Sequence, residues 1–252
     1  MTEVIYMTDG SLEGLFAAVH EAYYSGENVV DILPGPAQMQ NYLVQYKSIA
    51  ADGEKSDRVY SALNKKVSYE AFEYVRDAWL SELPGIGGHI LSYIRLAFRL
   101  GRKIDDFLTN ADVAAVHAAS YKVGAETHRM LGLLRFELTA DGIYFAKIDT
   151  DHNVIVPIAE HFAQRLGDRS FVIYDTKRKL AALAKNGEYA LYSGVDMPEM
   201  QLHPEEMQFA DMWRRYFDAI AIKERTNPKL QRAFMPKRYW KNLTEKKPPA
   251  TR

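Results

Sequence analysis

The sequence predicts an α+β fold, with a helical N-terminal half, a small antiparallel sheet unit and a C-terminal helix that leads into a basic tail. Three observations predict it. Apolar residues recur at helical spacing through most of residues 1–132. Residues 133–195 carry β-rich runs around Asp-Gly and Asn-Gly turns. From about residue 205 the chain is amphipathic, then basic and proline-punctuated. A single domain is expected over 1–252, with 1–132, 133–195 and 205–252 as its sub-regions.

The elements follow in order. "EVIYMT" reads as a strand and Asp9-Gly10 as a turn. Ser11 is placed to cap a helix in which Leu12, Leu15, Phe16, Val19 and Tyr23 recur. "DILPGP" reads as a loop stiffened by Pro34 and Pro36. A helical pattern runs from Asp57 to about Leu80. "LPGIGG" interrupts it, and "HILSYIRLAFRLG" resumes it, with Gly101 as the stop. Asn110 is a cap candidate for a long Ala-rich helix. Asp141-Gly142 and Asn186-Gly187 each mark a hairpin. "NVIVPIAEHFAQRLGD" is a helix between the two hairpins, so the middle reads strand-strand-helix-strand-strand. "EEMQFADMWRRYFDAIAIKER" is a last amphipathic helix.

Composition narrows the class. No apolar run reaches about 18 residues, so no membrane span is expected, and the opening "MTEVIYMTDG" has no basic leader of the secretory kind. The chain has no cysteine, which excludes disulfides, thiolate zinc sites and iron–sulfur ligation by its own residues. A cytoplasmic protein that binds neither metal nor cofactor is the expectation. The net charge of −1 hides an asymmetry: residues 212–252 carry twelve basic and three acidic side chains, a net +9, while the remaining 211 residues carry −10. Such segregation points to an anionic partner for the C-terminal end, or to a tail that packs on the protein's own acidic body.

"LPGIGG" has the Gly-x-Gly spacing of a helix-hairpin-helix, in which backbone amides meet a phosphate. Asp105 and Asp106 lie near the distance at which glycosylases with that motif carry a catalytic Asp. Leu91 argues against it, because close helix packing needs a small residue there. The plainer reading is a turn between two helices. His128, His152 and His161 lack the spacing of a zincin motif. Asp151, His161, Arg165 and Asp175 are candidates to meet above the sheet as an acid/base group. Phosphate-loop, nucleophile-elbow and dinucleotide fingerprints are missing from the sequence. Arg129 and Arg135 face a ligand in one reading and pair with Glu126 and Glu137 in the other.

The C-terminal segment carries the fuller signal. "KERTNPKLQRAFMPKRYWKNLTEK" interleaves cations, among them Arg225, Lys237 and Arg238, with Phe234, Tyr239 and Trp240. Cations neutralise phosphates and aromatic faces stack on unpaired bases, while Asn227 and Gln231 offer hydrogen bonds to either. The alternative is a tail docked through Tyr239 and Trp240.

"YFDAIAIKERTNPKLQRAFMPKRYWKNLTE" also resembles the end of a bacterial family, the domain of unknown function numbered 4130. "DGSLEGLFAAVHEAY", "KVGAETHRMLGLLRF", "DHNVIVPIAEHFAQRL" and "FVIYDTKRKLAAL" resemble its earlier parts, whereas "LPGIGG" is set apart as this protein's own turn. The resemblance implies DNA metabolism or repair beside a radical-SAM protein, with related domains fused to uracil-DNA-glycosylase-like ones. It carries over no catalytic residue. The matching polar positions include Asp9, Glu13, Glu126, His128, Arg129, Arg135, His152, Asn153, His161, Arg165 and Asp175, besides those of the tail. The expectation is a DNA-binding accessory of a radical-SAM enzyme, acting on single strands or damaged duplex. Arg129, Arg135, Arg225, Asn227, Gln231, Lys237, Arg238, Tyr239 and Trp240 would form its nucleic-acid surface. The alternatives are an enzyme on an altered base, with Asp175, His161 and Asp9 as candidates, and a protein-interaction scaffold.

Overall fold

A computed structural model describes residues 2–35 and 43–246. Pro36 of the expected loop, and Lys247 and Arg252 of the basic tail, lie outside those residues. The architecture is α+β, in two compact units, Met1–Gly124 and Ala125–Arg252.

The first unit holds strands β1 (Glu3–Thr8), β2 (Asn28–Pro34) and β3 (Gln45–Ser48) with helices α1 (Leu12–Tyr24), α2 (Gly53–Lys66), α3 (Tyr69–Leu80) and α4 (Ile86–Leu100). The strands form a parallel sheet in the order β2-β1-β3. So the half expected to be helical contains a sheet. "DILP" pairs with β1 rather than looping, because Pro34 stands at the last position of the strand, where the ladder loses little. On β1, Val4, Tyr6 and Thr8 alternate inward. Ser11 caps α1 by accepting from the Gly14 N–H at 2.9 Å, and the Trp79 indole donates to the Gly10 carbonyl at 2.9 Å, fixing the turn between β1 and α1. The single helical pattern of residues 57–80 is two helices, since Ser68 caps α3 through the Ala71 N–H at 3.0 Å.

"LPGIGG" is a packing device. Gly85 stands at the N-cap of α4 with φ +74°. A Cβ on Gly87 would lie 1.8 Å from the Ile32 carbonyl oxygen, and one on Gly88 2.7 Å from that of Val30. The two glycines let α4 lie directly on the backbone of β2, which explains their presence without any ligand. Asp105 is held by the Tyr93 hydroxyl at 3.1 Å.

The boundary between the units falls within α5 (Ala111–Leu133), whose first turn is capped by Asn110 through the N–H groups of Asp112 and Val113. The second unit continues with β4 (Glu137–Leu138), β5 (Tyr144–Ile148), α6 (Ile155–Leu166), β6 (Phe171–Asp175), β7 (Leu180–Lys185), β8 (Glu188–Ser193), α7 (Glu206–Ile220) and α8 (Pro228–Phe234). The sheet order is β4-β5-β6-β7-β8. Both expected hairpins form, the second as a two-residue turn with φ +55° at Asn186 and +79° at Gly187. Two features differ from the expected unit. β5 and β6 are parallel, joined through α6, and there are three strands after α6 rather than two. The turn between β6 and β7 has no Gly to announce it: the Asp175 carboxylate builds it by accepting from the N–H groups of Lys177 and Arg178 at 2.9 and 3.2 Å. Among the described residues no helix is long and apolar enough to cross a membrane.

Replacing Gly87 with Ala should destabilise the protein by about 1–3 kcal/mol or more, because backbone must move. Gly85→Ala should cost only about 1 kcal/mol, the left-handed penalty in open space. Urea unfolding in the absence of nucleic acid tests this. Equal, near-zero costs would return the glycines to a ligand-binding role.

Candidate nucleic-acid interface and its buried carboxylate anchor

The second unit buries a carboxylate: Glu126, on α5, is only 1% exposed. A carboxylate there must find donors, and it finds four. Oε1 accepts from the Asp151 N–H at 2.9 Å and from the Tyr239 hydroxyl; Oε2 accepts from the His152 N–H at 2.9 Å and the His152 ring Nδ1 at 2.6 Å. Burial by itself would raise the Glu126 pKa. The bonds from Tyr239, from the Asp151 and His152 backbone and from the His152 ring outweigh it and hold the group below the usual glutamate value. An ionised carboxylate only accepts, so His152 Nδ1 is the donor. For Tyr239, burial and the Glu126 carboxylate both push the phenol upward.

The loop after β5 is held from its other sides too. Arg178 donates to the carbonyls of Thr150 and Asp151 at 3.2 and 2.9 Å, and Lys177 to that of Asp151 at 3.2 Å. Arg178 is itself aimed by Asp175, which is fully buried and bonded to it at 2.9 Å.

The C-terminal segment docks on this loop. Arg238 pairs with Asp151 at 2.7 Å and bonds the Tyr239 hydroxyl at 2.9 Å, and Lys241 pairs with Asp149. The Trp240 indole donates to the Met235 carbonyl at 2.9 Å. Farther on, Arg135 grips Glu245 with two bonds of 2.9 and 3.2 Å, and the Trp213 indole adds a third at 2.9 Å. Burial would raise the Glu245 pKa, but Arg135 and Trp213 lower it. The segment is thus clasped twice, at Tyr239 and at Glu245. Between α7 and the first clasp it is exposed. Asn227 caps α8 through the Leu230 N–H at 3.0 Å. Arg225 and Lys237 are exposed and Gln231 is half-buried.

The structure therefore brings Arg225, Asn227, Gln231, Lys237, Arg238, Tyr239 and Trp240 into one segment. Tyr239 is spent on Glu126, and Arg135 on Glu245 rather than Glu137. Arg129 is half-buried, and no hydrogen bond or ion pair joins it to the segment among the described residues. Among the described residues no hydrogen bond or ion pair joins Asp175 to His161. Asp175 is a buried turn-former. His161 packs edge-on against Phe162 on α6. Asp9, in the first unit, accepts from the Ser11 N–H at 3.0 Å ahead of α1. The pair the sequence reading passed over is Glu126 with His152. Its signal is an acid on the apolar stripe of an Ala-rich helix, where solvated glutamates do not belong. No group of three or more His, Cys, Asp or Glu side chains is placed to hold a metal among the described residues.

Residues 84–245 match the model of a family described as a domain of unknown function, DUF4130. The chain belongs to this family. The DUF4130 match opens at Pro84, so it takes in the Gly85–Gly88 turn that the sequence resemblance set apart, and leaves out the stretch from Asp9 to Tyr23 that the resemblance included. Both clasps of the C-terminal segment lie within it. No curated protein matches the chain.

Tyr239→Phe should cost about 1.5–3 kcal/mol of stability, the worth of one hydrogen bond to a charged group. Because Glu126 and Glu245 are held below 4.5, the native state binds fewer protons than the unfolded chain, and the stability they confer is present above that pH and lost as pH falls through and below it. Tryptophan fluorescence of Trp213 and Trp240 through an acid titration should show the segment releasing there. In Glu126→Gln the part of the transition that belongs to the first clasp should disappear.

Proposed function

We propose that the protein binds nucleic acid in DNA repair or modification, as the accessory of a radical-SAM enzyme. One observation carries the reading. Lys223, Arg225, Lys229, Arg232 and Lys237 are exposed and have no acidic partner among the described residues, on a segment that the cap at Asn227 and the clasp at Tyr239 hold in a defined shape. Phe234, 70% exposed, stands among them. A tail that served only to neutralise the acidic body would spend these cations on it. Here the body takes Arg238 and Lys241, and the five others stay available to a polyanion. Cations beside an exposed ring suit single-stranded nucleic acid, whose phosphates pair with the former and whose bases stack on the latter. The radical-SAM partner rests on the family resemblance. It would hold the iron–sulfur cluster, for which this chain has no cysteine.

A second reading, an enzyme acting on an altered base, is favoured by Glu126 and His152. A buried carboxylate that orients an imidazole is the arrangement of a proton-transfer pair, and it sits where the parallel strand β5 ends. Buried oxygens on the neighbouring residues, Thr127 Oγ1 and Asn153 Oδ1, lack a protein partner. In this reading the working histidine is His152.

Fluorescence anisotropy with labelled single-stranded and duplex DNA, over a salt series, tests the first reading. The variant with Lys229, Arg232 and Lys237 all changed to Ala should bind single strands roughly tenfold or more weakly and lose about 2 from the log–log salt slope. Phe234→Ala should weaken binding at every salt concentration and leave the slope in place. The reading fails if the intact chain binds neither form at low salt and does not associate with the radical-SAM protein. Loss of base release or conversion in His152→Gln, with binding kept, would establish the second.

A further inference from the structure

The first unit carries a cavity that neither the family match nor the tail explains. It has a volume of about 300 Å³ and lies between the last turn of α1, the outer face of α2 and the end of α4. Its walls are aromatic. The His20 and Tyr24 rings lie 4.7 Å apart, and Tyr23 meets Tyr24 edge-on at 5.5 Å and Phe98 at 6.4 Å. Tyr23 and Tyr24 are 60% and 74% exposed. Neither hydroxyl makes a hydrogen bond to protein among the described residues. Two neighbouring large rings thus stand at the surface of one helix turn with most of their faces open and their polar tips unspent. His20 Nδ1 is buried without a partner, so stacking rather than a polar bond holds the imidazole in place.

The rim is cationic. Arg58 contributes from α2, and its one ion pair is a loose contact of 4.0 Å with the exposed Glu54. Lys66, two turns farther along the same helix, holds its ammonium 5.9 Å from the centre of the Phe98 ring and has no acidic partner among the described residues. Aromatic walls select a flat π-face, the two cations select an anion, and the volume matches the smaller end of ligand pockets.

We propose that this cavity binds a nucleoside monophosphate unit, with the base stacked on Tyr24 and Tyr23 and the phosphate held by Arg58 or Lys66. The same chemistry is offered by a free nucleotide and by the phosphorylated end of a strand. The site shares no residue with the C-terminal segment and does not depend on the nucleic-acid reading above.

The test uses the full-length chain carrying the Lys229, Arg232 and Lys237 to Ala changes, so that tail binding does not contribute. Isothermal titration calorimetry would be run with adenosine 5′-monophosphate, cytidine 5′-monophosphate, adenosine, inorganic phosphate and a 5′-phosphorylated tetranucleotide. A monophosphate should bind more tightly than either nucleoside or phosphate. Tyr24→Ala and Arg58→Ala should each weaken it roughly tenfold, and Tyr24→Phe, which keeps the ring, should retain most of the affinity. Both sites are exposed, so the variants should fold, which circular dichroism checks. Tighter binding of the tetranucleotide would identify a strand end as the ligand, and tighter binding of the mononucleotide a free nucleotide. The absence of binding at millimolar nucleotide, or binding that Tyr24→Ala leaves unchanged, would overturn the proposal.

Discussion

Within the second unit, much depends on one buried charge. Removing a carboxylate from water costs several kcal/mol even after the protein relaxes. Four donors, each worth about 1.5–3 kcal/mol to a charged acceptor, are enough to offset that cost, but only if all four arrive together. They come from two separate stretches of chain, the loop after β5 and the C-terminal segment, and they converge on a third, α5. Glu126 thus turns an energetic liability into a positional requirement: the loop and the segment cannot shift without stranding it.

In the loop after β5 the backbone groups around Thr150–His152 are held from several sides. Its N–H groups at Asp151 and His152 go to Glu126. Its carbonyls at Thr150 and Asp151 go to Arg178 and Lys177, and the His152 carbonyl accepts from the Thr150 hydroxyl at 2.8 Å. Arg178 is in turn set by Asp175. Backbone held in this way is a firm platform. It carries the His152 ring and the Asp149 and Asp151 carboxylates that dock Lys241 and Arg238. The Asp175 carboxylate, an attractive catalytic candidate in the sequence, acts two steps away from any solvent-facing chemistry.

Much of this was legible beforehand. The capping serines and Asn110, the two Gly-containing hairpin turns and the amphipathic helices carry local signals whose physics is complete within a few residues, and the α+β class follows from them. Of the first unit's parallel sheet only β1 was legible, because β1 pairs with segments distant in sequence and the prolines of "DILPGP" mask the end of β2. The turn between β6 and β7 was hidden because a side chain rather than a glycine makes it. "LPGIGG" could be read as a phosphate loop or as a turn; the decisive fact, a strand backbone pressed against Gly87, is tertiary. The tail showed its charge and aromatic content in sequence, and Tyr239 with Trp240 as possible anchors, but not that Glu126 receives Tyr239 while Lys229 and Arg232 stay outside.

The strand pairings also set an order of events in folding. β6, β7 and β8 are consecutive and antiparallel, so each pairing closes a short loop, on the microsecond scale of hairpins. In the first unit no strand pairs with a neighbour through a tight turn. β1 waits for β2 to return across α1, and then for β3, a longer closure still. The N-terminal sheet therefore has no pair that forms as fast as those hairpins. Its central strand, with both edges unpaired until late, is open to pairing with another molecule before it finds its own partners.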